Sequence, residues 1–295
     1  MRFGEHPLPA PLPQLLAEPP GEPVRLLWLG QAGFVIDGDG RRVVIDPYLS
    51  DSLAGKYRGA LYPHTRMMPV PVLPGEIRHV DMVLATHHHT DHLDPGTLPA
   101  LLAANPGALL VAPEAARDLA LDRSGIAPAR LVTIDAGQTF TARGIEITAV
   151  RAAHEELERD AAGHHLYLGY AVRIGGAVIF HSGDTVPFAG QAEEAARLKA
   201  DLALLPVNGR DAERKANGVP GNMTIGEALA LARQAGIGQM IAHHFDLFAF
   251  NTVPRAEVEE AARESSNPLL TAARADRLYL AYPRRRIEGN GRSFR

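Results

Sequence analysis

Histidine and aspartate crowd into one nine-residue segment, residues 86–94, which reads Thr-His-His-His-Thr-Asp-His-Leu-Asp. Imidazole is a common protein ligand of zinc, and a mixture of imidazole and carboxylate also suits manganese and iron. On a tight loop, His87 and His89 can face one metal ion while Asp91 and His92 face a neighbouring ion. An exposed polar turn is the alternative, but packing requires no such concentration of ionisable groups. The segment therefore predicts a site for divalent metal ions.

Short apolar runs and helical patterns must position this segment, and their order along the chain predicts the fold. Strand-like runs separated by glycine turns come first, as in residues 24–45, and an apolar run at 81–85 leads into the histidines. Helical patterns then alternate with further strands, and strands followed by helices occur twice. This order favours two packed sheets with helices outside them, a four-layered α/β/β/α sandwich of the α/β class. Residues 30–33 do not match GxGxxG, which disfavours a Rossmann domain.

The two ends of the chain differ in composition from the part between them. Residues 1–24 contain seven prolines and predict an extended arm, which could wrap a neighbouring subunit in a homo-oligomer. Residues 25–282 carry the strand and helix patterns and form the predicted catalytic domain. Residues 283–295 form a basic tail that includes three consecutive arginines, residues 284–286. Such a tail is typically solvated, and a contact with phosphate or with a partner is the alternative.

The composition limits the class of protein. The 295-residue chain contains 30 basic and 34 acidic residues, a formal net charge of −4, whereas nucleic-acid-binding domains are usually basic. It contains no cysteine, so it has neither a disulfide framework nor a thiolate metal site. No stretch approaches the roughly 18 apolar residues that a membrane helix requires. We therefore expect a cytoplasmic enzyme with a small-molecule substrate, without a membrane span and without nucleic acid as a partner.

The histidine segment also resembles that of a known family. Its spacing matches the HxHxDH pattern of the metallo-β-lactamase superfamily, and four further segments resemble the ascorbate-6-phosphate-lactonase-like branch. These segments occur in the family's order and read WLGQAGF at residues 28–34, IDPY at 45–48, HSGDT at 181–185 and HFDLF at 244–248. The resemblance extends from about residue 25 to about residue 250, and it implies the metallo-β-lactamase fold, which is the same four-layered sandwich.

The resemblance implies three metal ligands outside this segment. His154 follows a predicted strand, Asp184 lies in a Ser-Gly-Asp turn, and His244 lies at the end of another strand. A lone loop histidine, an ordinary Asx turn and the neighbouring His243 are the respective alternatives. The family pattern implies two divalent metal ions, zinc or manganese, with Asp184 bridging them. Its ligand set corresponds here to His87, His89 and His154 on the first ion, and to Asp91, His92 and His244 on the second.

Five other residues are expected beside the metal ions or the substrate. By resemblance, Asp46 supports the ligand loop without binding metal, and His181 donates a hydrogen bond to a carboxylate or backbone group near the ions. Two long polar loops, residues 46–76 and 208–222, contain basic residues that we expect to attract an anion, with solvated loops as the alternative. The candidates for contacting the substrate are Arg66, Asn208 and Arg210.

The resemblance implies a hydrolase in which water activated by two metal ions cleaves a small anionic ester or lactone. Asp91 would also carry a proton to the leaving group. A phosphodiesterase acting on nucleotide or lipid diesters is the second candidate, because related branches contain the same His-Ser-Gly-Asp motif. A non-catalytic metal-binding regulatory protein is the third, and it would be expected to lack some ligands. A glutamate at position 89 would indicate the di-iron branch, and His89 argues against redox chemistry.

Overall fold

Aliphatic and β-branched runs form two mixed β-sheets in the computed structural model, which describes residues 1–283. The first sheet has eight strands among the described residues. In spatial order they are β1 (Arg2–Pro7), β15 (Arg277–Tyr282), β2 (Arg25–Gly30), β3 (Gly33–Gly38), β4 (Arg41–Ile45), β5 (Met82–Leu84), β6 (Leu109–Pro113) and β7 (Leu131–Ile134). The pairs from β4 to β7 are parallel, and the other pairs are antiparallel.

The second sheet has seven strands within the same described range. In spatial order they are β14 (Leu269–Ala272), β13 (Gln239–His243), β12 (Leu202–Pro206), β11 (Ala177–His181), β10 (Leu168–Ile174), β9 (Ile145–Arg151) and β8 (Thr139–Ala142). Strands β11 to β14 are parallel to one another, whereas β8 to β11 form an antiparallel meander. The tight turn at Gly175 and Gly176 connects β10 with β11, as the glycine pair in the sequence predicts.

The α-helices of the described residues are α1 (Leu12–Ala17), α2 (Ser52–Lys56), α3 (Leu98–Ala104), α4 (Arg117–Ser124), α5 (Gln191–Leu198), α6 (Ala212–Ala216), α7 (Ile225–Gln234) and α8 (Arg255–Glu264). Six of them cover the outer faces of the two sheets. Helices α1, α3 and α4 pack on the first sheet, and α5, α7 and α8 pack on the second. The predicted four-layered α/β/β/α order is therefore confirmed. Every helix in residues 1–283 is too short or too polar to cross a membrane.

The main core lies between the two sheets. Trp28 and Phe34 of the first sheet are buried in the same apolar cluster as Tyr170 and Ile179 of the second. A separate apolar cluster lies between the first sheet and its helices. Because the central strands of each sheet are buried on both faces, their polar residues lie mainly at the strand ends. Those ends are where the metal-ligand candidates lie.

The first 24 residues differ from the expected extended arm. Residues 2–7 form β1, which pairs antiparallel with β15 from Arg2 opposite Tyr282 to Pro7 opposite Arg277. Leu12 and Leu16 of α1 are buried against the first sheet. The alternating prolines concealed this strand, because proline is tolerated at the edge of a sheet and in the first turn of a helix. The predicted basic tail, including residues 284–286, lies outside the described residues.

A buried ion pair joins β3 and β4 of the first sheet, at the ends of these strands opposite the metal-ligand candidates. The guanidinium of Arg42 donates to both carboxylate oxygens of Asp37 at 2.8 and 2.9 Å, and both side chains are fully buried. Its Nη1 also donates to the carbonyl oxygens of Leu16 and Arg78, each at 2.7 Å. These bonds connect α1, the β3–β4 hairpin and the segment before β5, so one side chain holds three elements in register.

Replacing Arg42 should therefore destabilise the fold strongly. In Arg42→Met, Asp37 loses a partner and two buried carbonyls lose their donor, so the free energy of unfolding should fall by about 3–5 kcal/mol. The matched control is Arg173→Met, which breaks the exposed pair with Glu146 and should cost at most about 1 kcal/mol. Urea unfolding followed by circular dichroism measures both changes. Equal losses in the two variants would contradict a structural role for the buried pair.

Candidate metal centre

The metal-ligand candidates converge because strands of both sheets end at the same edge. Asp46 follows β4 and His87 comes shortly after the parallel neighbour β5, while His154, Asp184 and His244 follow β9, β11 and β13. Strands β9, β11 and β13 run in the same direction, so their carboxyl ends meet at one edge of the second sheet. The fold thus brings residues that are far apart in the sequence into one cluster.

The histidine segment crosses from the first sheet to the second. The carbonyl of Thr86 accepts a hydrogen bond from the amide of Leu168 at 3.0 Å, and His87 forms a β-bridge with Tyr167. The chain then makes a tight turn, in which the amide of His92 donates to the carbonyl of His89 at 3.1 Å. This path leaves His87 and His92 buried and His89 partly open.

A glycine is required beside Asp184. Gly183 has φ of +64°, and a Cβ atom there would collide with the carbonyl oxygen of Leu168. The ring of His181 accepts a hydrogen bond from the amide of Gly183 at 3.0 Å, and its Nε2 bonds to the carbonyl of Ala32 at 2.9 Å. His181 therefore fixes the turn through backbone groups, which places the carboxylate of Asp184 in the cluster.

All seven candidate ligands lie together in three groups of possible donor atoms. Within each group the donor atoms lie within 4.8 Å of one another. The first and third groups share no residue. The groups are His87, His89 and His154; His87, His92 and Asp184; and Asp91, His92 and His244. His243, the alternative to His244, instead packs its ring edge against Phe34 with 5.6 Å between ring centroids, away from these groups.

The donor atoms suit a metal ion in their hydrogen bonding and protonation. Nε2 of His87, Nε2 of His92 and Oδ1 of Asp184 are buried, and each has no hydrogen-bond partner among the described residues. Burial and the neighbouring histidines hold the pKa of His87 well below its usual range, so this imidazole is neutral. Burial opposes ionisation of Asp184, but His244 and His92 hold its pKa well below its usual range. Neutral imidazole and ionised carboxylate are the forms that bind metal.

Asp46 orients the ligand loop. One of its carboxylate oxygens accepts from the amide of Thr86 at 2.8 Å, and the other lies 2.7 Å from Thr86 Oγ1 and 2.8 Å from His92 Nδ1. The bond to Nδ1 leaves Nε2 of His92 facing the cluster. A carboxylate behind a histidine in this way fixes the ring and makes it a better ligand.

The cluster carries excess negative charge. Burial by itself would lower the pKa of His92, but the carboxylates of Asp184, Asp46 and Asp91 raise this pKa well above its usual range. Oδ2 of Asp184 lies 3.4 Å from Nε2 of His92, 3.7 Å from Nε2 of His154 and 3.0 Å from Nε2 of His244. Three carboxylates around one histidine, of which Asp46 and Asp184 are buried, form an environment that favours a bound cation.

Gln31 belongs to this cluster but was not predicted as a functional residue. Its Nε2 donates to Oδ2 of Asp91 at 2.9 Å and lies 3.2 Å from Nε2 of His244. The backbone carbonyl of Gln31 accepts a hydrogen bond from the backbone amide of His244 at 3.0 Å, and the residue has φ of +49°. In the sequence, only its place within the WLGQAGF segment pointed to Gln31. No sequence pattern indicates that such a glutamine contacts two metal-ligand candidates.

Three polar residues expected to contact substrate lie away from the cavity. Arg66 donates to the carbonyls of Met68, Tyr48 and Ser50 at 3.2–3.3 Å, so it holds the loop together. Arg210 pairs with Glu227 at 2.6 Å, and Asn208 is buried between other asparagine side chains. Arg210 and Asn208 have internal partners, Nη2 of Arg66 is buried without a hydrogen-bond partner among the described residues, and none of the three lines the cavity described next. The presence of basic residues in a loop sequence does not reveal which groups their side chains contact in the fold.

A cavity of about 440 Å³ opens over the cluster. His89, Asp91, His154, Asp184 and His244 form its floor. Its walls come from two loops, residues 53–64 and 248–251, and from residues 217–220, together with the side chain of Arg123. The size lies within the range of about 300–1,000 Å³ that is typical of small-molecule sites.

A family model described as Beta-lactamase superfamily domain matches residues 41–245. The chain belongs to this superfamily. It is 29% identical over 232 residues to a UPF0173 metal-dependent hydrolase of Methanoculleus marisnigri, across 76% of this chain and 82% of the relative. The resemblance to the superfamily is therefore confirmed, whereas the ascorbate-6-phosphate-lactonase-like branch stays a prediction.

Two solved structures of the superfamily fold illustrate the similarity in shape. An isothiocyanate hydrolase from Delia radicum gut bacteria superposes with a TM-score of 0.66 at 21% identity, covering 88% of this chain and 99% of that one. A possible metal-dependent hydrolase from Veillonella parvula gives a TM-score of 0.68 at 14% identity, covering 87% and 98%. At these identities the likeness shows the fold alone.

Removing the charge of Asp46 should weaken metal binding. In Asp46→Asn, His92 Nδ1 loses its carboxylate partner, and the affinity for zinc should fall by about 10- to 100-fold. Competition with a chromogenic chelator measures this affinity. The matched control is Asp135→Asn, because Asp135 holds the ring of His165 in the same way at 2.9 Å, but His165 belongs to none of the three donor groups. Unchanged affinity in Asp46→Asn would show that Asp46 does not orient a ligand.

Proposed function

We propose that the protein is a metal-dependent hydrolase that cleaves a small anionic ester or lactone with two divalent metal ions. The convergence of seven histidine and aspartate side chains at the floor of one cavity carries this proposal. The description of a curated relative as a metal-dependent hydrolase supports the reaction class. Zinc and manganese suit the mixture of imidazole and carboxylate donors.

Two ions fit the arrangement of the donors. His87, His89 and His154 would hold one ion, and Asp91, His92 and His244 would hold the other, because these two groups share no residue. Asp184 would serve both, since one of its oxygens lies within 3.7 Å of Nε2 of His154 and within 3.0 Å of Nε2 of His244. When bound, such ions supply a water that ionises near neutral pH and polarise the bond under attack.

Asp91 is the proposed proton carrier. Its Oδ2 is held by Nε2 of Gln31, and the side chain lines the cavity. Burial opposes ionisation, but His92 and His244 lower the pKa of Asp91, so the carboxylate can accept a proton from the attacking water. The same group can then pass that proton to the leaving oxygen. Gln31 would keep Asp91 in position for both transfers.

Two cations support an anionic substrate. Lys56 and Arg123 line the cavity, and neither forms a salt bridge within residues 1–283. Nη1 of Arg123 donates to the carbonyls of His88 and Leu93 at 2.6 and 3.1 Å, which fixes the guanidinium beside the ligand loop. These two residues take the role that the sequence analysis assigned to Arg66 and Arg210. Because they lie above the cluster, they can orient an anionic group while the ester or lactone meets the floor.

Initial rates test the reaction class. Protein reconstituted with zinc or with manganese should hydrolyse lactones and carboxylic esters at least about 100-fold faster than the phosphodiester bis(4-nitrophenyl) phosphate. The same assay in the presence of a chelator measures the background. Faster cleavage of the phosphodiester would replace the proposal with diester hydrolysis. No turnover of any substrate would remove the proposed reaction.

Two variants separate an enzyme from a protein that only binds metal. His89→Ala and Asp184→Asn should each lower the rate by about 10²-fold or more, and His89→Ala should reduce the metal content from two ions to one. Metal content is measured by atomic emission. The matched control is His164→Ala, because His164 pairs with Asp160 on the surface and should change neither quantity. Full activity in both variants would contradict the assignment of the metal ligands.

A further inference from the structure

One wall of the cavity consists of aromatic rings, and we call it the aromatic wall. It combines residues from the loop around α2 with residues that follow His244. These parts of the chain are separated by about 180 positions in the sequence, so the wall exists only in the folded protein. Its members are Tyr57, Tyr62, His64, Phe248 and Phe250.

The rings hold one another in place. Tyr57 stacks on His64 with 4.2 Å between ring centroids and 19° between planes, and Tyr62 stacks on Phe250 at 4.9 Å and 22°. His64 meets Phe248 and Phe250 edge to face at 5.0 and 4.7 Å. Nδ1 of His64 also lies 2.9 Å from the carbonyl oxygen of Tyr62. The wall is therefore preformed, and a ligand that packs on it need not order these side chains.

The rings of the wall are uncharged, and one cation lies beside them, since Nζ of Lys56 is 5.0 Å from the centroid of the Tyr57 ring. Burial lowers the pKa of His64, so its ring is neutral at pH 7. Aromatic side chains are joined there by apolar ones, since Leu53, Leu61 and Val219 also line the cavity. A flat apolar ring can pack on this surface without needing hydrogen-bond partners, whereas every sugar hydroxyl desolvated there needs one.

We propose that the aromatic wall is a subsite for an aryl group, and that the substrate is an aryl ester or aromatic lactone rather than a sugar-phosphate lactone. The reaction itself rests on the proposed function. Aromatic contacts with Tyr57 and Phe250 would place the scissile bond over the floor of the cavity, while Arg123 donates hydrogen bonds to an anionic group of the same molecule. Aromatic rings prefer stacked or edge-to-face neighbours over saturated rings of similar size, which makes the subsite selective.

Binding of two matched carboxylates tests the subsite without turnover. In zinc-reconstituted full-length protein, 3-phenylpropanoate should bind about 2- to 10-fold tighter than 3-cyclohexylpropanoate, because aromatic contacts add to simple apolar burial. If apolar burial alone decided the affinity, the more apolar 3-cyclohexylpropanoate would bind tighter. Calorimetry measures both affinities. Equal affinities, or tighter binding of 6-phosphogluconate than of 3-phenylpropanoate, would overturn the proposal.

Variants assign the preference to the wall. Phe250→Leu and Tyr57→Leu keep an apolar side chain but remove a ring, and each should reduce the phenyl preference at least about 2-fold. Phe188→Leu is the matched control, since Phe188 packs on Arg151 outside this cavity and should leave the preference unchanged. Thermal melting shows that each variant is folded. A preference that survives in both wall variants would contradict the assignment.

Rates connect the subsite with the reaction. The aromatic lactone dihydrocoumarin should be hydrolysed with a higher kcat/KM than δ-valerolactone, and Phe250→Leu should raise KM for dihydrocoumarin alone. If neither lactone reacts while the phenyl preference is present in the wild type and lost in Phe250→Leu, the proposed reaction fails and the subsite stands. If both lactones react with equal kcat/KM and Phe250→Leu changes neither, the subsite fails and the reaction stands.

Discussion

The metal centre depends on the buried carboxylate of Asp46. It follows β4 and bonds to the backbone and side chain of Thr86 after the parallel strand β5, so it connects two strand ends through hydrogen bonds of 2.7–2.8 Å. Its third bond, to Nδ1 of His92, transmits this order to the ligands. Without a carboxylate at this point, the histidine segment would be a polar loop whose rings could adopt several rotamers.

Burial of so many ionisable groups shapes the rest of the centre. Burial keeps the imidazole of His87 neutral, and neighbouring histidines keep the carboxylate of Asp184 ionised, so the donors are in the forms that bind a cation. The fold accepts this arrangement because the strands that carry it are secured elsewhere, by the apolar core between the sheets and by the ion pair of Arg42 with Asp37. The stabilising pair of Arg42 with Asp37 and the metal-ligand candidates therefore lie at opposite ends of the strands.

The walls of the cavity come from different parts of the chain than the metal-ligand candidates. Ligands follow strand ends, whereas the aromatic wall and Arg123 come from loops and from the last turn of a helix. Loops vary more readily than strands, so one metal centre can serve substrates of different chemistry within the same superfamily. In this protein the aromatic wall and the two cations are the observations behind the proposed aryl ester or lactone substrate.

The sequence by itself determined the superfamily and the four-layered class, and it predicted the seven candidate ligands that the fold brings together, because HxHxDH after an apolar run and Gly183 before Asp184 are local patterns. Only the tertiary structure decided that residues 2–7 join a sheet, that Gln31 reaches Asp91, and that Arg123 rather than Arg66 lines the cavity. Those outcomes depend on which distant groups satisfy a side chain, and spacing along a chain carries no information about partners that only folding brings together.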